Sequence, residues 1–204
     1  MDGDRGPGFR VELRRPQAPC LRRKTWSDRA LRSLPRNGHK YELLNGRIVM
    51  SPAGFNHGRI CGKILRLLGN YADAHHLGIV CDGQTGFRLT VGCKKKTVLS
   101  PDVSFVDRSR AASATTSLDR FFEGAPDLVV EVLSLGDSVE KTSAKLGHFF
   151  RNGARLGWII DPSARQVQVL RPDELAALLK SGDTLTGGPV LSGFKLSVRR
   201  LFED

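Results

Sequence analysis

The sequence has few cysteines and no long apolar run. Its four cysteines, Cys20, Cys61, Cys81 and Cys93, lie far apart, with no CxxC pair and no nearby cysteine–histidine grouping of the zinc-binding type. We therefore expect reduced thiols. The first thirty residues contain no apolar signal-peptide core, and no stretch approaches the roughly twenty apolar residues that span a bilayer. These absences predict a soluble, cytoplasmic protein that does not enter a membrane.

The chain has 204 residues, of which 40% are hydrophobic and 7% aromatic. This balance is ordinary for a globular protein, and the length suits one domain with a sizeable core. The net charge is +11, and residues 1–40 carry eleven Lys or Arg against four acids. Residues 1–24, rich in Arg, Pro and Gly, are interpreted as a basic N-terminal extension, and residues 25–204 as a single domain. The extension is either a contact for a polyanion or a solvated leader.

Strand and helix patterns alternate along the domain. The predicted elements are, in chain order, a short helix capped by Ser27, a hairpin across Asn45-Gly46, a helix from Asn56 to about His75, strands at Ile79 to Cys81, Gly86 to Val91 and Val103 to Val106, a central strand at Leu128 to Leu133, a helix from Asp137 or Ser138 to about Asn152, and a strand pair at Gly157 to Ile160 and Gln166 to Leu170. After them, Pro172 predicts a short helix, and the tail one or two edge strands. This order predicts an α/β fold, a β-sheet flanked by helices.

Two acids lie in apolar strands, where acids are rare. Asp102 enters the strand in SPDVSFV, and Glu131 is inside the run PDLVVEVLS. Because ionised acids are seldom buried unless they are paired or bind a cation, Glu131 is either a metal ligand or part of a structural ion pair. Two acids on neighbouring strands can hold one Mg²⁺ between them. Asp127 also follows a proline, but at roughly 3.3 Å per residue it lies about 13 Å from Glu131 along the strand, so we interpret it as a strand-entry residue.

Three further residues can act with these acids. At about 100° per residue, Lys145 borders the apolar stripe of its helix, so it can reach inward to the acids or cover the stripe as a snorkelling side chain. An ammonium beside two metal-binding acids can orient a water and offset developing charge. Together these groups are suited to the hydrolysis of a phosphodiester. Glu42, in YELL, is a candidate supporting or second-metal carboxylate. His57, in a first helical turn, can bind metal or phosphate, or can simply be a surface or packed residue.

The ordered blocks YELLNGRIVMSP, His57 at a helix start, SPDVSFV, PDLVVEVLS and DSVEKTSAKLGHFFRNGARLGWIIDP resemble the Uma-type restriction endonuclease family, a branch of the PD-(D/E)XK nuclease superfamily, over about residues 25–172. The resemblance implies a restriction-endonuclease-like core with a central mixed β-sheet. It also implies Mg²⁺-dependent DNA cleavage, in which Mn²⁺ can substitute. Asp102 and Glu131 would then be metal ligands, with Glu42 and His57 as accessory site residues. The superfamily lysine is absent at Leu133, and the family pattern moves it to the next helix, where Lys145 stands.

The expected function is hydrolysis of DNA by a nuclease-like domain. Asp102, Glu131 and the carbonyl of Val132 would bind Mg²⁺, with Lys145 beside the attacked phosphate. DNA is the expected partner, and a homodimer is left open. The alternative is a non-catalytic nucleic-acid-binding or regulatory module on the same fold, which would bind DNA equally well in the presence of a chelator.

Overall fold

The computed structural model describes residues 25–34, 40–51, 54–92, 97–114, 120–134 and 136–203. The predicted extension, residues 1–24, lies outside them. The helices are α1 Asp28–Arg32, α2 Phe55–Ala74, α3 Arg108–Ala114, α4 Val139–Arg151 and α5 Val198–Phe202. The strands are β1 Lys40–Leu44, β2 Arg47–Ser51, β3 Gly78–Asp82, β4 Phe87–Leu89, β5 Thr97–Leu99, β6 Val103–Asp107, β7 Phe122–Glu123, β8 Leu128–Val132, β9 Leu156–Asp161, β10 Gln166–Leu170, β11 Ala177–Leu179, β12 Thr184–Gly187 and β13 Leu191–Ser197.

A six-stranded sheet in the order β11-β10-β9-β8-β6-β3 forms the centre of the fold. Strand β8 runs parallel to β9 and antiparallel to β6, so the sheet is mixed. All five residues of β8 are buried, as expected for a strand covered on both faces. The predicted α/β fold with a central mixed sheet flanked by helices is therefore confirmed.

The two long helices cover opposite faces of this sheet. On α2, Ile60 and Ile64 pack in one apolar cluster with Val130 of β8. On α4, Leu146 packs in a second cluster with Val129, the neighbouring residue of the same strand. Because successive side chains of a strand point to opposite faces, β8 presents its even-numbered residues to α2 and its odd-numbered residues, including position 131, to α4.

Helix α4 has local signals at both ends and a close contact with the sheet. The hydroxyl of Ser138 accepts a hydrogen bond from the Lys141 amide at 3.3 Å, and Gly153 follows the helix with a φ of +101°, so the predicted cap and stop are confirmed. A Cβ on Gly157 of β9 would lie 2.5 Å from Cδ2 of Leu146. Gly157 therefore allows α4 to lie close to the sheet.

A second, five-stranded sheet has the order β2-β1-β5-β4-β7. Its β1–β2 hairpin turns at Asn45 and Gly46, with φ values of +49° and +76°, as the Asn-Gly signal predicts. Strand β5, which was not predicted from the sequence, pairs with both β1 and β4. Strand β5 leads directly into Ser100, next to the entry of β6, and so joins this sheet to the acids of the central one.

The C-terminal part of the chain differs from the prediction. Pro172 lies in a turn rather than a helix, because the next residue, Asp173, has a φ of +60° that a right-handed helix excludes. The tail contains three strands and the helix α5, against an expectation of one or two edge strands. In the part of the chain that the structure describes, no helix is both long and apolar enough to cross a membrane.

Candidate active site

A cleft of about 730 Å³ opens at the carboxyl end of β8, between the start of α2, the inner face of α4 and the β1–β2 hairpin. Sites in open α/β sheets commonly lie at the carboxyl ends of strands. All six residues predicted for the site line this one cleft: Glu42, His57, Asp102, Glu131, Val132 and Lys145. They come from both sheets and both long helices.

Asp102 is fixed at the entry of β6 by the neighbouring strand. Its backbone amide donates to the carbonyl of Val130 at 3.0 Å, and its Oδ2 atom accepts from the amide of Val132 at 2.9 Å. The same oxygen lies 3.0 Å from Nε2 of His57, and only 11% of the Asp102 side chain is exposed. The carboxylate is therefore oriented by a backbone donor and an imidazole.

Glu131 faces α4, as the alternation of β8 requires. Its Oε1 atom lies 2.8 Å from Nζ of Lys145, and its side chain is only 9% exposed. Lys145 therefore reaches inward, which the angular analysis left open against a snorkelling lysine at the border of the stripe. Fourteen residues separate the two in sequence, and the contact depends on how closely α4 packs on the sheet at Gly157.

Glu42 brings a third carboxylate from the second sheet. Its Oε1 atom accepts a hydrogen bond from the Ser100 amide at 2.7 Å and lies 3.0 Å from Nζ of Lys145. The ammonium also donates to the carbonyl of Ser100 at 3.2 Å. Lys145 is thus held by two carboxylates and one carbonyl on three different strands or strand ends.

The environment of Lys145 keeps its amine charged. Burial by itself would lower the pKa of Lys145, because desolvation disfavours the charged form. The carboxylates of Glu131, Glu42 and Asp102 outweigh this effect and raise the pKa above its ordinary value. The amine is therefore an ammonium at neutral pH, a fixed positive charge rather than a proton acceptor.

The charges of the cleft favour a cation. Among the partly buried charges of the cleft, three carboxylates, those of Glu42, Asp102 and Glu131, accompany one lysine ammonium. The exposed Asp137 and Lys141 at its lining offset each other, so negative charge is in excess. Such an excess is costly unless a cation offsets it. Carboxylate and carbonyl oxygens are the ligands that Mg²⁺ prefers, and Asp102, Glu131 and the carbonyl of Val132, which follows Glu131 on β8, offer oxygen ligands of this kind.

A family model described as "Putative restriction endonuclease", Uma2, matches residues 28–199 of the chain. The chain belongs to the Uma2 family. Among solved structures, a crystal structure described as a "putative nuclease belonging to DUF820" from Anabaena variabilis ATCC 29413 has 23% sequence identity, covers 85% of this chain and 96% of its own, and superposes with a TM-score of 0.71. That likeness shows a common fold. No curated protein matches the chain.

Within this Uma2 fold, Cys61 is a cleft residue that sequence analysis missed. Its Sγ atom lies 3.5 Å from Nδ1 and 3.8 Å from Nε2 of His57. The expectation of no cysteine–histidine grouping is therefore wrong at this point, because residues four apart on a helix share one face. The spacing of His57 and Cys61, read together with the predicted helix, was the signal available.

Asp127 is not among the residues that line the cleft, and its contacts are those of a structural residue. Its side chain is 2% exposed and lies 3.0 Å from Nε of Arg155 and 3.0 Å from Nη1 of Arg110. It also accepts from the amide of Asp107 at 2.8 Å. These contacts fit the interpretation of Asp127 as a strand-entry residue.

Proposed function

We propose that this protein is a metal-dependent endonuclease that hydrolyses phosphodiester bonds in DNA, using Mg²⁺ with Mn²⁺ as a substitute. The observation that carries the proposal is the cleft itself, where Asp102 and Glu131 lie beside the charged amine of Lys145. Membership of a family described as "Putative restriction endonuclease" supports the reaction class. The net charge of +11 supports a polyanionic substrate.

In this proposal, Asp102, Glu131 and the carbonyl of Val132 hold the metal ion. When bound, Mg²⁺ supplies Lewis-acid polarisation of the scissile phosphate and lowers the pKa of the attacking water. His57 and the Val132 amide keep the Asp102 carboxylate in place through the contacts to Oδ2. Their role is to maintain the geometry of a ligand.

Lys145 acts as a fixed positive charge in the proposed reaction. Because its pKa is raised, the ammonium does not accept a proton at neutral pH. Its three N–H groups are directed to Glu131, Glu42 and the Ser100 carbonyl, so it acts on a neighbouring phosphate through its charge. Charge placed where negative charge develops is worth most in a partly buried site. Glu42 holds the amine against the cleft wall, which is its accessory role.

A cleavage assay tests the proposal. Supercoiled plasmid, linear duplex and single-stranded DNA, with RNA as a comparison substrate, are incubated with the purified protein in Mg²⁺, Mn²⁺ or EDTA. We expect metal-dependent conversion of plasmid to nicked or linear forms, absent in EDTA and in Glu131→Gln. Salt-dependent DNA binding in EDTA without cleavage of any substrate in either metal would instead indicate the non-catalytic nucleic-acid-binding module.

A further inference from the structure

Three side chains of different chemistry converge at one edge of the cleft: His57, Cys61 and Asp102. One ligand atom from each lies within 4.8 Å of the other two. Nε2 of His57 is 3.0 Å from Oδ2 of Asp102 and 3.8 Å from Sγ of Cys61. The group combines an imidazole, a thiol and a carboxylate.

The fold holds these three residues in place before any ligand arrives. His57 and Cys61 are one turn apart on α2. The same stretch of the helix carries Ile60 and Ile64, which are fully buried against the central sheet. Asp102 is fixed independently by its hydrogen bonds to the backbone of β8. Because none of the three is on a long loop, a metal ion would meet a largely prearranged set of ligands.

The ligand set favours a different metal from the one proposed for catalysis. Thiolate and imidazole ligands select zinc and other late first-row metals, whereas Mg²⁺ prefers oxygen alone. Around a tetrahedral zinc with bonds of about 2.0 to 2.3 Å, ligand atoms are about 3.4 to 3.6 Å apart. The observed separations of 3.0 and 3.8 Å bracket that spacing.

From this geometry we propose that His57, Cys61 and Asp102 form a zinc-binding site, with the fourth position open to water. The site shares Asp102 with the Mg²⁺ site. Zinc bound here therefore withdraws a carboxylate from the catalytic metal and inhibits cleavage. The binding site stands on its own geometry, while the inhibition rests on the proposed nuclease function.

Cobalt binding in the absence of DNA tests the site directly. Co²⁺ is a spectroscopic substitute for zinc, and a bound thiolate produces a thiolate-to-cobalt charge-transfer band in the near ultraviolet. We expect wild-type protein to develop this band to one equivalent and to lose it on addition of Zn²⁺. Cys61→Ser should remove the band and weaken Zn²⁺ binding at least about tenfold, since it deletes the soft ligand.

The other cysteines provide the matched controls. Cys81→Ser, which changes a half-buried thiol on β3, should keep the band, and so should a variant with Cys20, Cys81 and Cys93 all replaced by Ser. His57→Gln, as a second ligand variant, should lose Zn²⁺ affinity while keeping the wild-type far-ultraviolet circular dichroism. Cobalt binding without a thiolate band, or a band that survives Cys61→Ser, would overturn the site.

Inhibition is measured separately, as the Zn²⁺ concentration that halves each variant's own rate in Mg²⁺. That concentration should rise at least about tenfold in Cys61→Ser. Equal Zn²⁺ inhibition of the wild type and of Cys61→Ser would refute competition through this site. If the wild type cuts no substrate, the proposed function fails, and the cobalt band alone still decides whether the zinc site exists.

Discussion

The ammonium of Lys145 on α4 lies 2.8 Å from the Glu131 carboxylate on β8. In the superfamily pattern the lysine follows two residues after the acid, on the same strand. Here that position is Leu133, whose side chain packs against the apolar cluster beneath α4. In this chain the lysine that contacts Glu131 comes instead from the following helix and reaches the carboxylate across the sheet face.

Glu131→Gln should abolish cleavage and leave the fold intact. The amide has nearly the same shape but lacks the charge that would hold the metal, and Glu42 still pairs with Lys145. We expect the plasmid-cleavage rate in Mg²⁺ to fall about 10³-fold, the effect of losing about 4 kcal/mol of transition-state stabilisation. Glu140→Gln, an exposed acid on α4, is the matched control. A Glu131→Gln protein that cuts at the wild-type rate would remove this residue from the site.

Lys145→Met should affect both cleavage and stability, because it leaves Glu42 and Glu131 buried without their ammonium. With a side chain 20% exposed, its loss should cost about 2 to 4 kcal/mol of unfolding free energy at neutral pH. The cleavage rate of Lys145→Met should also fall. Lys141→Met, which alters an exposed lysine on the same helix, should cost less than about 0.5 kcal/mol.

The pH dependence of that loss has a definite sign. The folded pKa of Lys145 is raised, so its contribution is fully present below the ordinary lysine pKa of about 10.4 and is lost only in strongly alkaline solution. Urea unfolding should therefore show a stability gap between wild type and Lys145→Met that is the same at pH 7 and pH 9 and becomes smaller only above about pH 10.4. A gap that already closes between pH 7 and pH 9 would show that the carboxylates do not hold the amine in its charged form.

Gly157→Ala should disturb the site without touching it. The new Cβ would lie 2.5 Å from Cδ2 of Leu146 and 3.0 Å from Cζ of Phe150. Because Leu146 is fully buried, we expect the clash to displace α4 from β9, at a cost of about 1 to 3 kcal/mol. Because α4 carries Lys145, kcat should fall while the Kd for DNA in EDTA stays nearly unchanged. Gly147→Ala, where the Cβ meets only the end of Arg151 at 3.7 Å, should keep activity and gain stability. A loss of stability with normal kcat would limit Gly157 to packing.

Local signals made much of the fold predictable. The Asn45-Gly46 turn, the apolar stripe of α2 and the Ser138 cap each depend on neighbouring residues, and all three are confirmed. Strand β5 was missed because it has only three residues, and it exists through pairing with β1 and β4. Such a strand depends on tertiary contacts more than on its own sequence.

In the candidate site, too, single residues were predictable from the sequence, whereas the contacts between them were not. Glu131 was identifiable because an acid inside a buried strand is unusual, and Glu42 because an acid occupied a strand position suited to an apolar residue. The link between them is Lys145, which contacts both carboxylates, and that link needs two sheets and one helix in their final positions. Cys61 was missed because a cysteine on a helix is an ordinary core residue, and only its proximity to His57 and Asp102 gives it another meaning.

Deletion of residues 1–24 should weaken DNA binding and reduce its dependence on salt. This segment carries seven Lys or Arg against three acids, and each phosphate contact that is lost should reduce the slope of log K against log salt by about 0.9. Fluorescence anisotropy with labelled duplex in EDTA measures this without cleavage. An unchanged slope would identify the extension as a solvated leader, and the cleavage rate at saturating DNA serves as a control for the domain.

Asp102 and Asp127 both follow a proline, and the same substitution should separate their roles. Asp102→Asn changes a proposed metal ligand and should abolish cutting. Asp127→Asn removes the charge that faces Arg110 and Arg155 in a position 2% exposed, which should cost about 2 to 3 kcal/mol, less than a fully buried pair because both arginines are partly exposed. At a temperature at which circular dichroism shows the variant to be folded, its cleavage rate should stay within about threefold of the wild type. Chemical unfolding and plasmid cleavage on both variants make the comparison. An Asp127→Asn protein of normal stability that cannot cut, beside an active Asp102→Asn, would exchange the two assignments.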